Sequence, residues 1–208
     1  MIDEQTLAEK LEGVSFATLG HFLEEGFVSH DIRAMVSAVK FVGRAVTLRV
    51  ANADAYAVNQ ALVCLKANDV LVIDMQGDHR HACVGTVTSC AATVKGAKAI
   101  IVDGAVTDIV ELREAGLPVF ARGTSLLTTK LRADPQSALN VVIACGGVSV
   151  SPGDWVLGDD NGLLILSGDK LAEVIDIALA SDAAEPEILQ RLRAGEPVAN
   201  VLRLPLTL

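Results

Sequence analysis

The stretch Ala99-Ile-Ile-Val-Asp103-Gly-Ala-Val-Thr107-Asp108 constrains the fold more than any other, because it passes from a buried strand through a turn into a helix. The apolar run Ala99 to Val102 has the length of a buried strand, with Gly96 and Gly104 bracketing it as breakers. Val110, Leu112 and Ala115 then begin a short helix that stops at Gly116, and Pro118 forbids its continuation. Asp108 falls at the start of that helix, where backbone N–H groups and the helix dipole favour a negative charge. It can therefore stay ionised and offer oxygens to a hard cation such as Mg²⁺. The competing reading is a cap: Asp108-Ile-Val-Glu111 has the spacing of a capping box.

The rest of the chain supplies elements to pack around this turn. Residues 1 to 26 read as helical, with Leu7, Leu11, Val14, Phe16, Leu19 and Leu23 as an imperfect apolar stripe, and Gly13 and Gly20 suggest two short helices. Phe41 to Val50 alternates as a strand, Asp54 opens a helix through Leu65, and Asp69 to Asp74 is a second buried strand. The polar loop Met75 to His81 follows that strand's C-terminal end, where α/β folds gather ligand groups. A helix beginning near Gly85 is expected to carry Val84, Val87, Cys90, Ala91 and Val94 as its apolar stripe. Leu117 to Ala121 reads as a strand that Arg122 to Ser125 leaves. Further strands fall in 138–150, 155–157 and 163–166, separated by turn residues. The chain closes with a helix over Leu171 to Leu179, N-capped by Ser167 or Asp169, then a short helix from Glu187 to Arg193 and an extended tail.

Composition narrows the function classes. At 208 residues, with 51% hydrophobic and only 3% aromatic residues, the chain fits one large domain with an aliphatic core, as layered α/β folds have. A formal charge of −9 argues against nucleic acid as a partner, since phosphate backbones are held by Lys and Arg. The acidic start and the lack of a long apolar run give the expectation of a soluble, cytoplasmic protein without a membrane span. Cys64, Cys83, Cys90 and Cys145 show no C-x-x-C pair and are expected to be reduced and mostly buried.

Taken together, Val70 to Asp74, Gly85, Ala99 to Val106 with Asp108, Gly116 to Gly123, and Pro152 to Gly162 resemble the RraA-like family. That family includes class II 4-hydroxy-4-methyl-2-oxoglutarate / 4-carboxy-4-hydroxy-2-oxoadipate aldolases, which also decarboxylate oxaloacetate, and regulators of ribonuclease activity. The resemblance implies a layered swivelling β/β/α domain with N-terminal and C-terminal helices. On that basis 1–40 is a helical arm, 41–166 the α/β core and 167–208 the C-terminal helices and tail of one domain. It also implies a homotrimer or dimer of trimers with sites between subunits, and a small 2-oxo acid as substrate.

By resemblance, Asp108 stands where the aldolases ligate Mg²⁺ or Mn²⁺, and Gly85, Thr86, Val87 and Thr88 stand where the substrate lies. Two positions depart from the aldolase pattern: Thr107 replaces an Arg that binds the substrate carboxylate, and Thr86 replaces an acidic residue that helps hold a catalytic water. The first swap removes a planar bidentate fork, and the second a proton acceptor. Arg80 and then Arg122 are the nearest candidates by sequence for a substitute cation. The chain is thus expected to be a divalent-metal carbon–carbon lyase with Asp108 and Thr86 in the catalytic positions. A non-catalytic regulator that binds a protein partner, or a pseudoenzyme, is the alternative.

Overall fold

Parallel pairing of short aliphatic strands, covered by helices on one face and a hairpin on the other, organises the chain. The computed structural model describes residues 2–202. The helices are α1 (Glu4–Gly13), α2 (Phe16–Leu19), α3 (Ala55–Cys64), α4 (Thr86–Val94), α5 (Ile109–Ala115), α6 (Gly168–Arg193) and α7 (Val198–Val201). The strands in chain order are β1 (Arg33–Ala34), β2 (Lys40–Arg49), β3 (Asp69–Asp74), β4 (Ala82–Val84), β5 (Ala99–Val106), β6 (Val119–Thr124), β7 (Ala138–Leu139), β8 (Ile143–Cys145), β9 (Val148–Val150), β10 (Trp155–Asp159) and β11 (Gly162–Leu166).

Among the described residues the chain divides into two units, residues 24–171 and residues 2–23 with 172–202. In the larger unit a nine-stranded sheet runs β1-β6-β5-β3-β2-β10-β11, with β4 added to β5 and β7 to β2. The strands β2, β3, β5 and β6 are mutually parallel. Of these, β3 and β5 are near-continuous aliphatic runs because both faces are covered. One face carries Leu71, Ile73, Ile100, Val102 and Val106 into a core shared with Ala57, Val58, Ala61 and Leu62 of α3, Ala92 of α4 and Leu112 of α5. The other carries Val70, Val72, Ala99, Ile101 and Phe120 against Ile143, Cys145 and Val150 of the β8–β9 hairpin. The result is the α/β layering expected from the sequence.

In the smaller unit, Asp3 N-caps α1 by accepting from Thr6 N–H at 2.9 Å. Asp182 of α6 accepts from Ser15 N–H at 2.6 Å and from the Thr18 hydroxyl, so one helix supplies the cap of another.

Several local expectations change. Gly104 does not end β5, which runs to Val106; a Cβ there would stand 2.7 Å from Met75 Cγ and 3.2 Å from the Asp78 carbonyl, so the glycine admits the crossing 75–81 loop. Val84 belongs to β4, a strand too short to show periodicity, and α4 starts only at Thr86. Val87 and Val94 are exposed while Ser89 and Ala92 are buried, which reverses the expected inner face of α4. The N-terminal helices end at Leu19 instead of running to residue 26. A single helix α6 absorbs both expected C-terminal helices despite Pro186, and α7 interrupts the expected tail, whose last residues 203–208 lie outside the described ones. The cysteines are free as expected, but Cys64 and Cys90 are exposed and only Cys83 and Cys145 buried. Burial pushes the Cys83 thiol up to about 12 and raises Cys145 as well, so neither is a nucleophile at neutral pH. Among the described residues, no helix is long and apolar enough to cross a membrane.

Candidate functional site

Four of the residues singled out in the sequence meet where β4 and β5 deliver their chains to helices. β4 pairs with β5 through Ala82↔Ala105 and Val84↔Val106, and Thr107 N–H donates to the Val84 carbonyl at 2.9 Å. Parallel pairing therefore sets Gly85-Thr86, entering α4, beside Thr107-Asp108, entering α5.

Asp108 occupies the N-cap position of α5 in the left-handed conformation, φ 55° and ψ 45°, which Asp adopts more readily than most residues. Its side chain makes no capping bond to α5, so the capping box with Glu111 does not form. The carboxylate turns instead to the start of α4. Asp108 Oδ2 accepts from Thr86 N–H at 2.9 Å and from Thr86 Oγ1 at 3.0 Å, and Oδ1 accepts from Thr107 Oγ1 at 3.2 Å. The Thr86 N–H foremost, with the two hydroxyls adding, holds its pKa below the usual carboxylate value despite some burial. It stays ionised across the physiological range, as the sequence led us to expect, but the first turn of a different helix holds it there.

Gly85 is fixed by this approach. A Cβ on residue 85 would stand 2.5 Å from Asp108 Oδ2 and 2.8 Å from Thr107 Cγ2. Thr88 steadies the same residue, accepting from Gly85 N–H at 2.7 Å and donating to the Gly85 carbonyl at 2.8 Å. Gly85→Ala is therefore expected to displace the Asp108 carboxylate, cost about 1–3 kcal/mol of stability and weaken any cation affinity roughly tenfold or more. Thermal melting and a calorimetric Mn²⁺ titration check the two effects separately. Val87, which completes the set read from the sequence, lies in the first turn of α4 and is 82% exposed.

The two candidate cations behave differently. Arg122 is committed: its Nε donates to Asp103 Oδ1 at 2.5 Å and its NH1 lies 3.4 Å from Asp31 Oδ2. Asp103 also accepts from Gly146 N–H at 2.7 Å, which ties β5 to the turn of the β8–β9 hairpin. This cluster lies on the hairpin side of the sheet, beside a cleft of about 570 Å³ lined by Asp31, Arg33, His79, Arg122 and Thr124 among others. Asp108 faces α4 on the other side. Arg80 is exposed, and its guanidinium makes no ion pair among the described residues.

A buried acid escaped notice as anything but a helix start. Asp54, 1% exposed, caps α3 through Tyr56 N–H at 2.9 Å and also accepts from the N–H groups of Arg132, Ala133 and Asp134 at 3.1, 3.0 and 2.9 Å. The segment it holds continues to the site: Leu127 O accepts from Ala82 N–H at 2.7 Å, and Ser125 N–H donates to Val106 O at 2.9 Å. The only sequence signal was a cap-type residue before a helix; its partners lie 78 to 80 residues away.

Residues 7–165 match the RraA-like family, described as Aldolase/RraA. The chain belongs to the RraA-like family. Among RraA-like relatives, the 4-hydroxy-4-methyl-2-oxoglutarate aldolase of Thermus thermophilus is 35% identical over 127 residues, covering 61% of this chain and 76% of that one. The crystal structure of Streptomyces coelicolor RraAS2, described as an unusual member of the RNase ES inhibitor RraA protein family, is 28% identical, with a TM-score of 0.74 over 91% of this chain and 97% of that one. An uncharacterized protein of Pseudomonas syringae pv. tomato shares the fold at a TM-score of 0.81 and 22% identity, covering 97% of this chain and 98% of that one. RraA-like relatives thus carry both an aldolase name and an inhibitor name.

Proposed function

We propose that this protein is a divalent-cation-dependent carbon–carbon lyase acting on small 2-oxo acids, by retro-aldol cleavage of 4-hydroxy-2-oxo acids, by decarboxylation of oxaloacetate, or both. The observation that carries the reading is the Asp108 carboxylate, exposed and held ionised by Thr86 and Thr107, with Oδ1 accepting a single long bond. Among the described residues no group of three or more His, Cys, Asp or Glu gathers to hold a metal. A carboxylate oxygen engaged by only one long bond suits Mg²⁺ or Mn²⁺ nonetheless, since Mg²⁺ keeps several waters and is commonly held by one or two carboxylates plus substrate oxygens. Such an ion would supply Lewis-acid stabilisation of the charge that builds on the 2-oxo oxygen as the C–C bond breaks.

The chain's own groups have distinct tasks in this reading. Asp108 anchors the cation. Thr86 commits its hydroxyl proton to Asp108, so it positions that carboxylate and leaves its oxygen lone pairs to order a water; it is no proton acceptor of carboxylate strength. Val87 and Thr88 hold the second and third positions of α4, where backbone N–H groups have no intrahelical acceptor and suit a substrate carboxylate. Those amides take over from the missing Arg at 107. The active form is a homo-oligomer, trimer or dimer of trimers, as the family resemblance implies. The relative named 4-hydroxy-4-methyl-2-oxoglutarate aldolase supports this reading.

The test is pyruvate release from 4-hydroxy-4-methyl-2-oxoglutarate, oxaloacetate and 4-hydroxy-2-oxopentanoate with Mg²⁺ or Mn²⁺, measured against the metal-only rate and against a chelated sample. Release above that rate, lost on chelation, is expected. If none of the three substrates gives it, the lyase reading is wrong. A non-catalytic, protein-binding regulator would then be the better account, supported by the RraAS2 likeness and by exposed Leu126 and Leu131 on the segment after β6.

A further inference from the structure

We infer that the outer face of α3 and α4 is a contact surface between copies of this chain; this rests on the homo-oligomer proposed above and is independent of the lyase chemistry. The ten residues of α3 and the nine of α4 include no charged side chain, although 21% of the chain is charged. By contrast, α1, α5 and α6 each carry several. The two uncharged helices are neighbours on the helical side of the sheet, and Lys95, at the C-cap of α4, donates from Nζ to the Val63 carbonyl of α3 at 2.8 Å.

Inward, these helices pack through Ala57, Val58, Ala61, Leu62, Ser89 and Ala92. Outward, Val63 of α3 is 74% exposed, Val87 and Val94 of α4 are 82% and 81% exposed, and Cys64 and Cys90 are exposed as well. Val87, Cys90 and Val94 recur at three- and four-residue spacing, so they share one side of α4, and it is the side turned from the sheet. Tyr56, Asn59 and Gln60 extend the uncharged surface along α3. Exposed apolar residues ordinarily scatter singly over a charged surface. Here they lie on adjoining helices with no charge between them, which is the composition of the centre of a protein interface.

Charge selects the occupant. With a formal charge of −9, two copies repel wherever their acidic surfaces oppose, and an uncharged face lets them meet without that cost. A basic protein would be drawn to carboxylates and a nucleic acid to Lys and Arg, and the centre of this face has neither. Lys66 and Lys95, both exposed, close it at the C-terminal ends of the two helices as a polar rim. Thr86 opens α4 and donates to Asp108 Oδ2 from its N–H and its hydroxyl, so a copy seated here also borders the candidate site.

Two measurements on the full-length protein test the contact. Light scattering on a sizing column is expected to give the wild type a multiple of the 21.7 kDa chain mass. The double variant Val63→Arg/Val94→Arg should give the single-chain mass, with an unchanged far-ultraviolet circular dichroism spectrum to show that it folds. The second is N-ethylmaleimide labelling read by mass spectrometry, because Cys64 and Cys90 are the exposed thiols of the chain taken singly. Cys90 of the assembled wild type should react at least about tenfold more slowly than Cys90 of the urea-unfolded chain, and the double variant should lose that protection. A monomeric wild type overturns the contact and the homo-oligomer together. A folded double variant that stays assembled, or a wild-type Cys90 that labels as fast as in the unfolded chain, overturns this face and leaves the oligomer standing. Neither measurement reads pyruvate release, so the lyase reading fails or stands separately.

Discussion

Replacing Asp108 by asparagine is expected to lower cation-dependent pyruvate release by at least about a hundredfold while moving the melting temperature by no more than about 2 °C. The substitution isolates charge from shape. Asparagine tolerates the left-handed backbone that residue 108 adopts, and its amide oxygen can still accept from Thr86 N–H. What disappears is the anionic oxygen that attracts a hard cation, which an amide replaces poorly. Loss of a group that merely supports a metal ligand typically costs ten- to a hundredfold, so the ligand itself should cost at least the upper figure. Thr86→Ala, which removes one of the two donors to Oδ2 and keeps the backbone N–H, should fall near tenfold. Steady-state kinetics over a Mn²⁺ series, with melting curves alongside, tests both; an asparagine variant as active as the wild type would remove Asp108 from the chemistry.

Asp54→Ala should destabilise the protein by on the order of 4 kcal/mol, lowering the melting temperature by about 10 °C. The carboxylate is 1% exposed, and its loss strands the N–H groups of Tyr56, Arg132, Ala133 and Asp134. It also releases backbone held at positive φ at Ala133. Burial alone would raise the Asp54 pKa, but the backbone donors from Asp134, Arg132, Tyr56 and Ala133 outweigh it, and the net shift is downward. A carboxylate with a lowered folded pKa stabilises fully above its unfolded value, near 3.8, and that contribution is lost as pH falls through the folded value. Between pH 7 and 5 the gap in melting temperature between wild type and Asp54→Asn should therefore be constant, narrowing only below about pH 4. A gap that narrows from pH 6 downward would place the titration on another group.

The sequence revealed the strands better than the faces of the helices. The runs Asp69 to Asp74 and Ala99 to Val102 announce themselves because a doubly covered parallel strand has no polar side to confuse the pattern. α4 misled for the opposite reason. Its valines at 87 and 94 mimic a buried stripe, yet the face against the sheet is made by Ser89 and Ala92, small enough for close approach. The three-residue β4 and the glycine inside β5 left no periodic signal at all. The sequence singles out Gly85, Thr86, Thr107 and Asp108 of the candidate site, but not the bond that joins Thr86 to Asp108. A capping box is a local pattern, whereas the acceptor Thr86 N–H actually finds lies 22 positions along the chain, brought near only by pairing of β4 with β5. Asp54 was hidden in the same way, its reach to 132–134 being a matter of tertiary closure.

That dependence on β4 ties the candidate site to one short strand. The three residues of β4 align the two helix starts, with the Thr107–Val84 and Thr86–Asp108 bonds, and so short a pairing opens more readily than the long strands it borders. Fraying there would separate the aspartate from the threonine that orients it while the aliphatic layers stayed closed. The geometry of the candidate site can thus be lost before the fold is, and a ligand bridging the two helix starts would clasp that seam.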